Sequence, residues 1–482
     1  MKCDGMDVFV ACDSFLALRN IRNAELGTRL AARGYRVCVF VDPNQIAGAR
    51  HAQVPDVEIR PLLDFNPASD TATRRWQWWM NLSRRSFKDP ATYRSKLRNR
   101  LAGRRVMKYA VLPYLALGWM LGAVGLYRLF RQQAQHALRR TQPYQQYRAM
   151  FQAERPALVA GLSPEGYREM AFVQAATDAG IPTLTMIRSR DNLASKISFL
   201  PRVDAYLVWS EQQKAYMRYL YPELRGRPVH VVGSPQFSRH HDPAYRLTRA
   251  VFFETVRLDP SKPLVVFCLE NPMVVPHQGN VAVALAEAFD AGRIGHGAQL
   301  LVRRHPRAFG SDDAPLGQRR FSNVAVYPPP TAVAFGEHDA DLVRLVLEDE
   351  AVHLATMAYQ DVNVNIMSTV IIDAALFDKP VINVAFDLPP DVPAGQSVKR
   401  FFRRTDYKVI AQTGATDEAH SLDELVELIN QALDDPGRKA RQRARLVEAD
   451  VGLSGPRSND ALLARFMDLL QCSDESPIGK YP

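Results

Sequence analysis

The stretch DVNVNIMSTVIIDAALFDKPVINVAFD, residues 361–387, decides the fold. Its apolar residues predict a strand that begins at Val362 and ends at Met367, a helix in which residues 371, 372, 375 and 376 share one face, and a second strand from 381. Lys379-Pro380 ends the helix, because proline cannot continue it. A strand, a helix and a strand in this order make a βαβ unit, so the sequence predicts an α/β protein with a parallel sheet.

Two hydroxyl residues, Ser368 and Thr369, fall where this helix would begin. Free backbone N–H groups, the positive end of the helix dipole and two hydroxyls would all favour an anion such as a diphosphate. Asp373 follows about one turn later, where its carboxylate would accept hydrogen bonds from ribose hydroxyls. The alternative is an ordinary βαβ unit in which Ser368 only caps the helix.

Strands and helices alternate on both sides of a predicted linker at 240–263. The N-terminal side includes a strand at 8–11 and a helix at 21–33, which Gly34 ends. This organisation predicts two facing Rossmann-like domains, at 1–240 and 241–482. The ligand would lie in the cleft between them, at the carboxyl ends of the strands.

Composition indicates a folded protein with reduced cysteines. The chain has 482 residues, of which 47% are hydrophobic and 23% charged, as in globular proteins of two domains. Its five cysteines lie far apart, with neither metal-ligand nor redox spacing, which indicates a cytoplasmic protein. The first residues lack the pattern of a signal peptide.

The positive charge is concentrated in one region. Residues 74–108 contain twelve Lys/Arg and one acid, Asp89, which gives this region +11 and leaves −1 for the rest of the chain. The region lies in a stretch at about 70–145 that interrupts the alternating pattern. We therefore predict a helical, basic insert in the N-terminal domain.

An uncharged stretch, YAVLPYLALGWMLGAVGLY at 109–127, follows the basic residues. Its length approaches that of a membrane span, but Pro113 and three glycines break it, and a crossing would separate strands that we assign to one sheet. The tryptophans of the insert and its charge favour an anionic membrane surface as the partner of residues 74–127. The alternatives are a solvated basic helix with core aromatics, or nucleic acid, which we do not expect because no recognition module accompanies the cluster. The tryptophans are Trp76, Trp78, Trp79 and Trp119.

Four further blocks occur in a fixed order: DNLASK at 191–196, VVGSPQF at 231–237, LLVRRHP at 300–306 and SLDELVELINQALDDP at 421–436. Together with 361–387, they resemble the GT-B glycosyltransferases. The resemblance is closest to the branch of CDP-glycerol glycerophosphotransferases and surface-polysaccharide glycosyltransferases. The chain departs from that branch at Asp373, where glutamate is usual, at Ser238, where aspartate is usual, and near Tyr407, where histidine is usual.

The resemblance and the chemistry of the residues imply a donor site with two parts. Arg303, Arg304 and His305 follow a predicted strand, where arginine would pair with phosphate and histidine would donate a proton. A salt-bridged loop is the alternative for these residues. The predicted nucleotide ligands are Arg303, His305, Ser368, Thr369, Asp373 and Gly233.

The acceptor hydroxyl must lose a proton to a base, and the predicted catalytic residues are Asp191, Asp13 and His305. Both aspartates follow strands, and turn formation is their alternative role. Asn192, Lys196 and Arg188 are predicted to bind the acceptor, with Arg190 as a further cation. No Asp-x-Asp motif ends a strand, so we expect neither a metal nor another cofactor, and we expect the 240–242 segment His-His-Asp to be solvated.

These observations predict a metal-independent glycosyltransferase. It would move a sugar from a nucleotide-activated donor to a lipid-linked or polymeric cell-surface glycan, at the cytoplasmic face of the plasma membrane. A transferase of CDP-linked polyol phosphate is the first alternative. A nucleotide-sugar 2-epimerase-like protein or an inactive scaffold is the second.

Overall fold

The computed structural model describes residues 7–51, 54–64, 70–101, 111–162, 164, 166–195, 201–272, 274–305, 316, 321–328 and 349–475. The chain forms two compact units. Unit 1 comprises Met1–Tyr93, Leu112–Ser238 and Asp450–Pro482, and unit 2 comprises Arg94–Val111 and Arg239–Ala449.

Each unit contains one parallel sheet. Among the described residues, unit 1 has seven strands in the order β3-β2-β1-β4-β5-β6-β7, and unit 2 has six in the order β10-β9-β8-β11-β12-β13. The strands of unit 1 are β1 Asp7–Cys12, β2 Arg36–Val41, β3 Val57–Pro61, β4 Leu158–Gly161, β5 Thr183–Met186, β6 Ala205–Val208 and β7 Val229–Val231. Those of unit 2 are β8 Leu264–Cys268, β9 Gln299–Arg303, β10 Val324–Tyr327, β11 Val362–Asn365, β12 Val381–Val384 and β13 Asp417–Ala419.

Helices connect the strands and form the insert. The first ten are α1 Phe15–Asn23, α2 Leu26–Ala31, α3 Ile46–His51, α4 Thr71–Lys88, α5 Pro90–Leu101, α6 Val111–Ala123, α7 Tyr127–Arg139, α8 Gln142–Glu154, α9 Tyr167–Asp178 and α10 Asn192–Ser195. The others are α11 Glu211–Leu220, α12 Arg249–Val256, α13 Gln278–Asp290, α14 Glu350–Tyr359, α15 Val370–Leu376, α16 Thr405–Thr413, α17 Leu422–Asp434, α18 Ala440–Asp450 and α19 Pro456–Glu475.

The predicted α/β class with two parallel sheets is confirmed. The single helix predicted at 21–33 is wrong, because Glu25 adopts a left-handed conformation (φ 52°) that separates α1 from α2. The predicted linker contains α12, a regular helix. The chain also returns at its C-terminal end, so that α19 belongs to unit 1 and not to the second domain.

The core of each unit forms around strands that are buried on both faces. In unit 1, the rings of Phe9, Phe40, Phe151 and Phe172 pack in tilted or edge-on pairs with centroids 4.8 to 6.4 Å apart. In unit 2, β8 and β11 are buried along their whole length. Parallel strands of this kind read as continuous apolar runs, which explains why the sequence predicts most of them.

The insert packs one helix on another through glycine. A Cβ atom on Gly118 of α6 would lie 2.6 Å from the Leu82 carbonyl oxygen of α4, and one on Gly122 would lie 2.3 Å from that of Ser83. The two backbones therefore approach so closely that no larger residue fits at either position. Within the described residues, no single helix is long and apolar enough to cross a bilayer. Only α6 and α7 taken together reach the necessary length and hydropathy, and their axes are bent by 92°.

We predict that Gly122→Ala destabilises the protein by about 1–3 kcal/mol, because the new methyl group would overlap the backbone of α4. Thermal or urea unfolding measures the change. Gly295→Ala is the matched control, since a Cβ there would meet its nearest atom, Asn430 Oδ1, at an ordinary 3.6 Å. Equal stability of the two variants would contradict the close packing of α6 on α4.

Candidate functional site

The turn after β11 places the predicted hydroxyl pair at the carboxyl edge of the unit 2 sheet. Met367 has a left-handed backbone (φ 57°), an uncommon conformation for a residue with a side chain. Ser368 and Thr369 follow it and are half-buried. Neither side chain caps α15, and the structure gives neither hydroxyl a hydrogen-bond partner among the described residues. The capping role considered for Ser368 is therefore wrong, and both hydroxyls remain available to a ligand.

A chain of hydrogen-bonded, buried amide side chains holds this turn in place. Asn365 Oδ1 accepts a hydrogen bond from the Ser368 backbone N–H (3.2 Å), and Asn365 Nδ2 donates to Asn363 Oδ1 (2.9 Å). Asn363 Nδ2 in turn donates to Gln360 Oε1 at 2.9 Å. All three amides are fully buried, so their hydrogen bonds are strong and hold the turn in one position.

A buried carboxylate lies behind the turn. Asp373 Oδ1 is 2.7 Å from His240 Nε2 and 3.3 Å from His353 Nε2. His353 belongs to α14, and His240 belongs to the short helical segment Pro235–His241, where its ring stacks on Phe377 at 5.7 Å. The expectation of a solvated His240 is wrong, because the ring is buried.

The two imidazoles determine the charge state of Asp373. Burial of its carboxyl would raise the pKa, but the hydrogen bonds from His240 and His353 outweigh burial and hold the pKa well below its usual range. The carboxylate is therefore ionised at neutral pH. These three residues also form a group whose donor atoms lie within 4.8 Å of one another, and two imidazoles with one carboxylate suit Zn²⁺ chemically. The predicted contact of Asp373 with ribose stays a prediction.

The two predicted donors after β9 have different surroundings. The Arg303 guanidinium is buried, forms an ion pair with Asp349 and lies 3.4 Å from Thr356 Oγ1. Its side chain thus makes the salt bridge that we considered as its alternative role, and a phosphate contact would require this pair to open. His305 lies two residues further along and is half-buried. It follows β9, while Ser368 follows β11, and both strands flank β8 in the sheet.

At the carboxyl edge of the unit 1 sheet, Arg168 lies within ion-pair distance of three aspartates. Its guanidinium is 2.7 Å from Asp42, 3.0 Å from Asp64 and 3.7 Å from Asp13. Gly166 lies so close to Asp13 that a Cβ atom would be 2.0 Å from Asp13 Oδ2. Asp13, a predicted base, is therefore held in an ion-pair network at the start of α9.

The other predicted residues of unit 1 lie near α10. Asp191 Oδ1 accepts a hydrogen bond from Ser189 Oγ at 2.9 Å and is half-buried. Arg188 donates to Ser14 Oγ, the N-cap of α1, and Arg190 forms an ion pair with Asp450. Both cations thus have partners within unit 1.

The remaining residues predicted to bind the acceptor or the donor are Asn192, Lys196 and Gly233. Asn192 is fully buried, and neither polar atom of its side chain has a hydrogen-bond partner among the described residues. Gly233 has a left-handed backbone (φ 71°), and a Cβ atom there would lie 2.0 Å from the Leu453 carbonyl oxygen, so that close packing already requires glycine. Lys196 lies outside the described residues.

Sequence reasoning missed His353, the chain of buried amides, and Asp42 and Asp64, which join the predicted Asp13 around Arg168. No local motif marks His353, because it approaches Asp373 from a separate helix. For His240, the available signal is its position directly after the glycine–proline block.

Comparison with solved structures identifies the fold. The S. aureus MnaA–UDP co-structure matches with a TM-score of 0.52 and 11% identity, over 98% of this chain and 100% of that chain. UDP-GlcNAc 2-epimerase from Neisseria meningitidis bound to UDP-GlcNAc matches with a TM-score of 0.51 and 8% identity, over 96% of this chain and 100% of that chain. A glycosyltransferase from Rickettsia africae matches with 0.49 and 10%, over 98% and 100%.

The fold is GT-B. No family model matches the sequence, and no curated protein matches it. At these identities the likeness concerns the fold alone, which this chain shares with UDP-GlcNAc 2-epimerase.

We predict that Asp373→Asn lowers the free energy of unfolding at pH 7 by about 1–3 kcal/mol, because two charge-assisted hydrogen bonds are lost. The lowered pKa of Asp373 also sets the sign of a pH effect. Its stabilisation is complete above the unfolded pKa, about 3.9, and is lost as the pH falls below that value. The difference between wild type and variant should therefore shrink in acid.

Urea unfolding at pH 7, 5 and 3 measures this difference. Asp434→Asn is the matched control, since Asp434 lies 2.8 Å from His296 but both side chains are exposed. That variant should change stability by less than about 1 kcal/mol at every pH. A difference between Asp373→Asn and wild type that stays constant down to pH 3 would contradict the assigned charge state.

Proposed function

We propose that this protein is a glycosyltransferase that uses a nucleotide-activated sugar and a lipid-linked or polymeric surface glycan as acceptor. In this proposal unit 2 binds the donor, and the protein acts at the cytoplasmic face of the plasma membrane. The donor diphosphate would contact Ser368 and Thr369, and the acceptor would lose its proton to Asp191 or Asp13.

One observation supports this proposal above the others: two hydroxyls without partners among the described residues lie on an internally braced turn at the carboxyl edge of the sheet. Ligands of open α/β sheets bind at this edge. Because α15 has only seven residues, the hydroxyls and the turn backbone are the main attraction for a diphosphate, and the dipole of the helix adds little. The neighbours solved with UDP and UDP-GlcNAc share this fold and support a nucleotide ligand.

Loss of the diphosphate leaves negative charge that the site must stabilise. Among the residues after β9, His305 is half-buried and is the proposed proton donor, whereas Arg303 is engaged with Asp349. A CDP-linked polyol-phosphate transfer would ask for more cations around the reacting phosphate. The internal pair of Arg303 therefore favours sugar transfer over phosphoryl transfer.

A nucleotide-sugar 2-epimerase is the second candidate, because 2-epimerases are among the structures that match this chain. The two activities differ in what happens to the sugar. An epimerase inverts one carbon of UDP-GlcNAc and needs no acceptor, and proton NMR of the sugar ring reports this change directly. A transferase leaves the donor sugar unchanged until an acceptor is present.

We predict that one nucleoside diphosphate among UDP, GDP and CDP raises the melting temperature by a few degrees in a thermal-shift assay that also includes CMP. A ligand at 100 times its Kd stabilises the folded state by about 2.7 kcal/mol. The double variant Ser368→Ala/Thr369→Ala should lose affinity by about tenfold or more, since each lost hydrogen bond to a charged group contributes about 1.5–3 kcal/mol. Stabilisation by CMP, the nucleotide that transfer of a polyol phosphate from a CDP-linked donor releases, would favour the polyol-phosphate alternative.

Thr255→Ala is the control for this variant, because its hydroxyl lies on exposed α12 and bonds only locally, to the Val251 carbonyl at 2.7 Å. It should bind the nucleotide with wild-type affinity. Equal affinities of the control and the double variant would reject the turn at 368 as the donor site.

We further predict that a chelator leaves nucleotide binding and the melting temperature unchanged. The Nε2 atoms of both imidazoles already bond the Asp373 carboxylate directly, so these three side chains hold one another without an ion between them. Thermal shift in EDTA, and after addition of Zn²⁺, checks this expectation. A rise of several degrees with Zn²⁺ that Asp373→Asn abolishes would show a metal site and contradict metal independence.

A further inference from the structure

Helix α6 has its large side chains on the outside. Its exposed fractions are 66% for Leu112, 53% for Trp119 and 56% for Met120, and Val124, one residue past the helix, is 73% exposed. At 100° per residue these positions share about half of the helix circumference. All residues on this face are uncharged.

The opposite side of α6 is made of small residues that face α4. Gly118 and Gly122 are buried there, against the backbone at Leu82 and Ser83. A helix of a water-soluble domain usually shows the reverse arrangement, with its large apolar residues inside. Helix α6 therefore presents large apolar side chains on its exposed side.

Aromatic and cationic side chains border this face. Phe87 packs on Trp119 with ring centroids 6.1 Å apart, and Lys88 Nζ lies 5.9 Å from the Phe87 ring and 4.6 Å from the Tyr219 ring. Tyr219 is itself exposed and donates to the Lys88 carbonyl oxygen at 2.9 Å. Arg128, just past the end of the helix, is exposed as well.

The segment that carries this face is almost purely basic in sequence. Between residues 71 and 139 Asp89 is the only acid, and it is buried and accepts a hydrogen bond from Tyr216 Oη at 2.6 Å. Aromatic rings and basic residues at the rim of an apolar helix face are the composition of an interfacial helix on an anionic bilayer.

The structure also corrects the surface predicted from the sequence. Arg84 is buried and forms an ion pair with Glu223, and Arg85 is buried and donates to the Leu193 and Ala194 carbonyl oxygens. Of the four tryptophans, Trp76, Trp78 and Trp79 are half-buried and stack on Phe130, Tyr114 or one another. These side chains contribute to the packing of the insert, and Trp119 is the most exposed of its tryptophans.

We propose that the face Leu112–Trp119–Met120–Val124 inserts into the headgroup–acyl boundary of an anionic lipid leaflet, with Lys88 and Arg128 at the level of the phosphates. Apolar burial supplies most of the affinity, and the two cations add selectivity for anionic lipid. This inference rests on the proposed membrane-linked acceptor, but it uses none of the residues assigned to the nucleotide.

Vesicle sedimentation tests the proposal with the full chain, using phosphatidylcholine vesicles with and without 30% phosphatidylglycerol, at low and high salt. The wild type should bind the anionic vesicles, and high salt should weaken but not abolish binding, since apolar insertion is not screened. Val124→Gln should lower the partition coefficient about threefold and Met120→Gln/Val124→Gln about tenfold or more. Val251→Gln, an exposed valine of α12, is the matched control and should bind as the wild type does.

Quenching by brominated lipids locates the inserted residue. Wild-type tryptophan fluorescence should be quenched in these vesicles, and Trp119→Phe should lose most of that quenching. Equal binding of Val124→Gln and Val251→Gln, or no binding of the wild type, would overturn the proposal. So would a wild-type dimer in light scattering that Val124→Gln converts to a monomer, because a second copy would then cover the face.

Two controls separate this test from that of the proposed function. Circular dichroism and thermal unfolding establish that the α6 variants are folded. Thermal shift with the nucleotide should be the same for Val124→Gln and wild type. Loss of vesicle binding with nucleotide binding intact concerns α6 alone, whereas loss of nucleotide binding in Ser368→Ala/Thr369→Ala with intact vesicle binding concerns the donor site alone.

Discussion

The Asp373 carboxylate joins three parts of unit 2 that are distant in sequence. Through one oxygen it holds His240, which follows the glycine–proline block, and His353 of α14, while its own helix α15 packs behind the turn at 368. A buried charge is costly unless it is hydrogen-bonded, so these two imidazoles are what allows the carboxylate to stay ionised there. The position of α15, and with it the position of the candidate donor site, depends on this arrangement.

The turn itself is held from two sides. On one side is the chain of buried amides Gln360–Asn363–Asn365, which ends at the Ser368 backbone N–H. On the other is α15 with Asp373. Such rigidity suits a site that must bind a diphosphate, because groups that are already in place lose little entropy when the ligand arrives. Met367 has a left-handed backbone in this turn, and the Thr369 side chain at the N-cap of α15 makes no capping hydrogen bond.

The insert follows a different physical logic. Its basic residues divide into buried ones, such as Arg84 over the Tyr221 ring at 4.6 Å, and exposed ones at its rim. Glycine allows α6 to lie directly on α4, which leaves the bulky side chains of α6 outside. The charge of this region is thus used both to build the insert and to border an apolar surface, and a count of charges in the sequence does not separate these uses.

The sequence alone determined the alternation of strands and helices, the parallel sheets and the position of the hydroxyl pair, because buried strands and their turn residues leave local patterns. Only the tertiary structure decided which side chains meet. It paired Arg303 with Asp349, placed three aspartates around Arg168, buried His240 against Asp373 and turned Trp119 outward. These contacts join residues from 46 to 155 positions apart, and no local spacing encodes a distance that only the packing of whole helices and sheets sets.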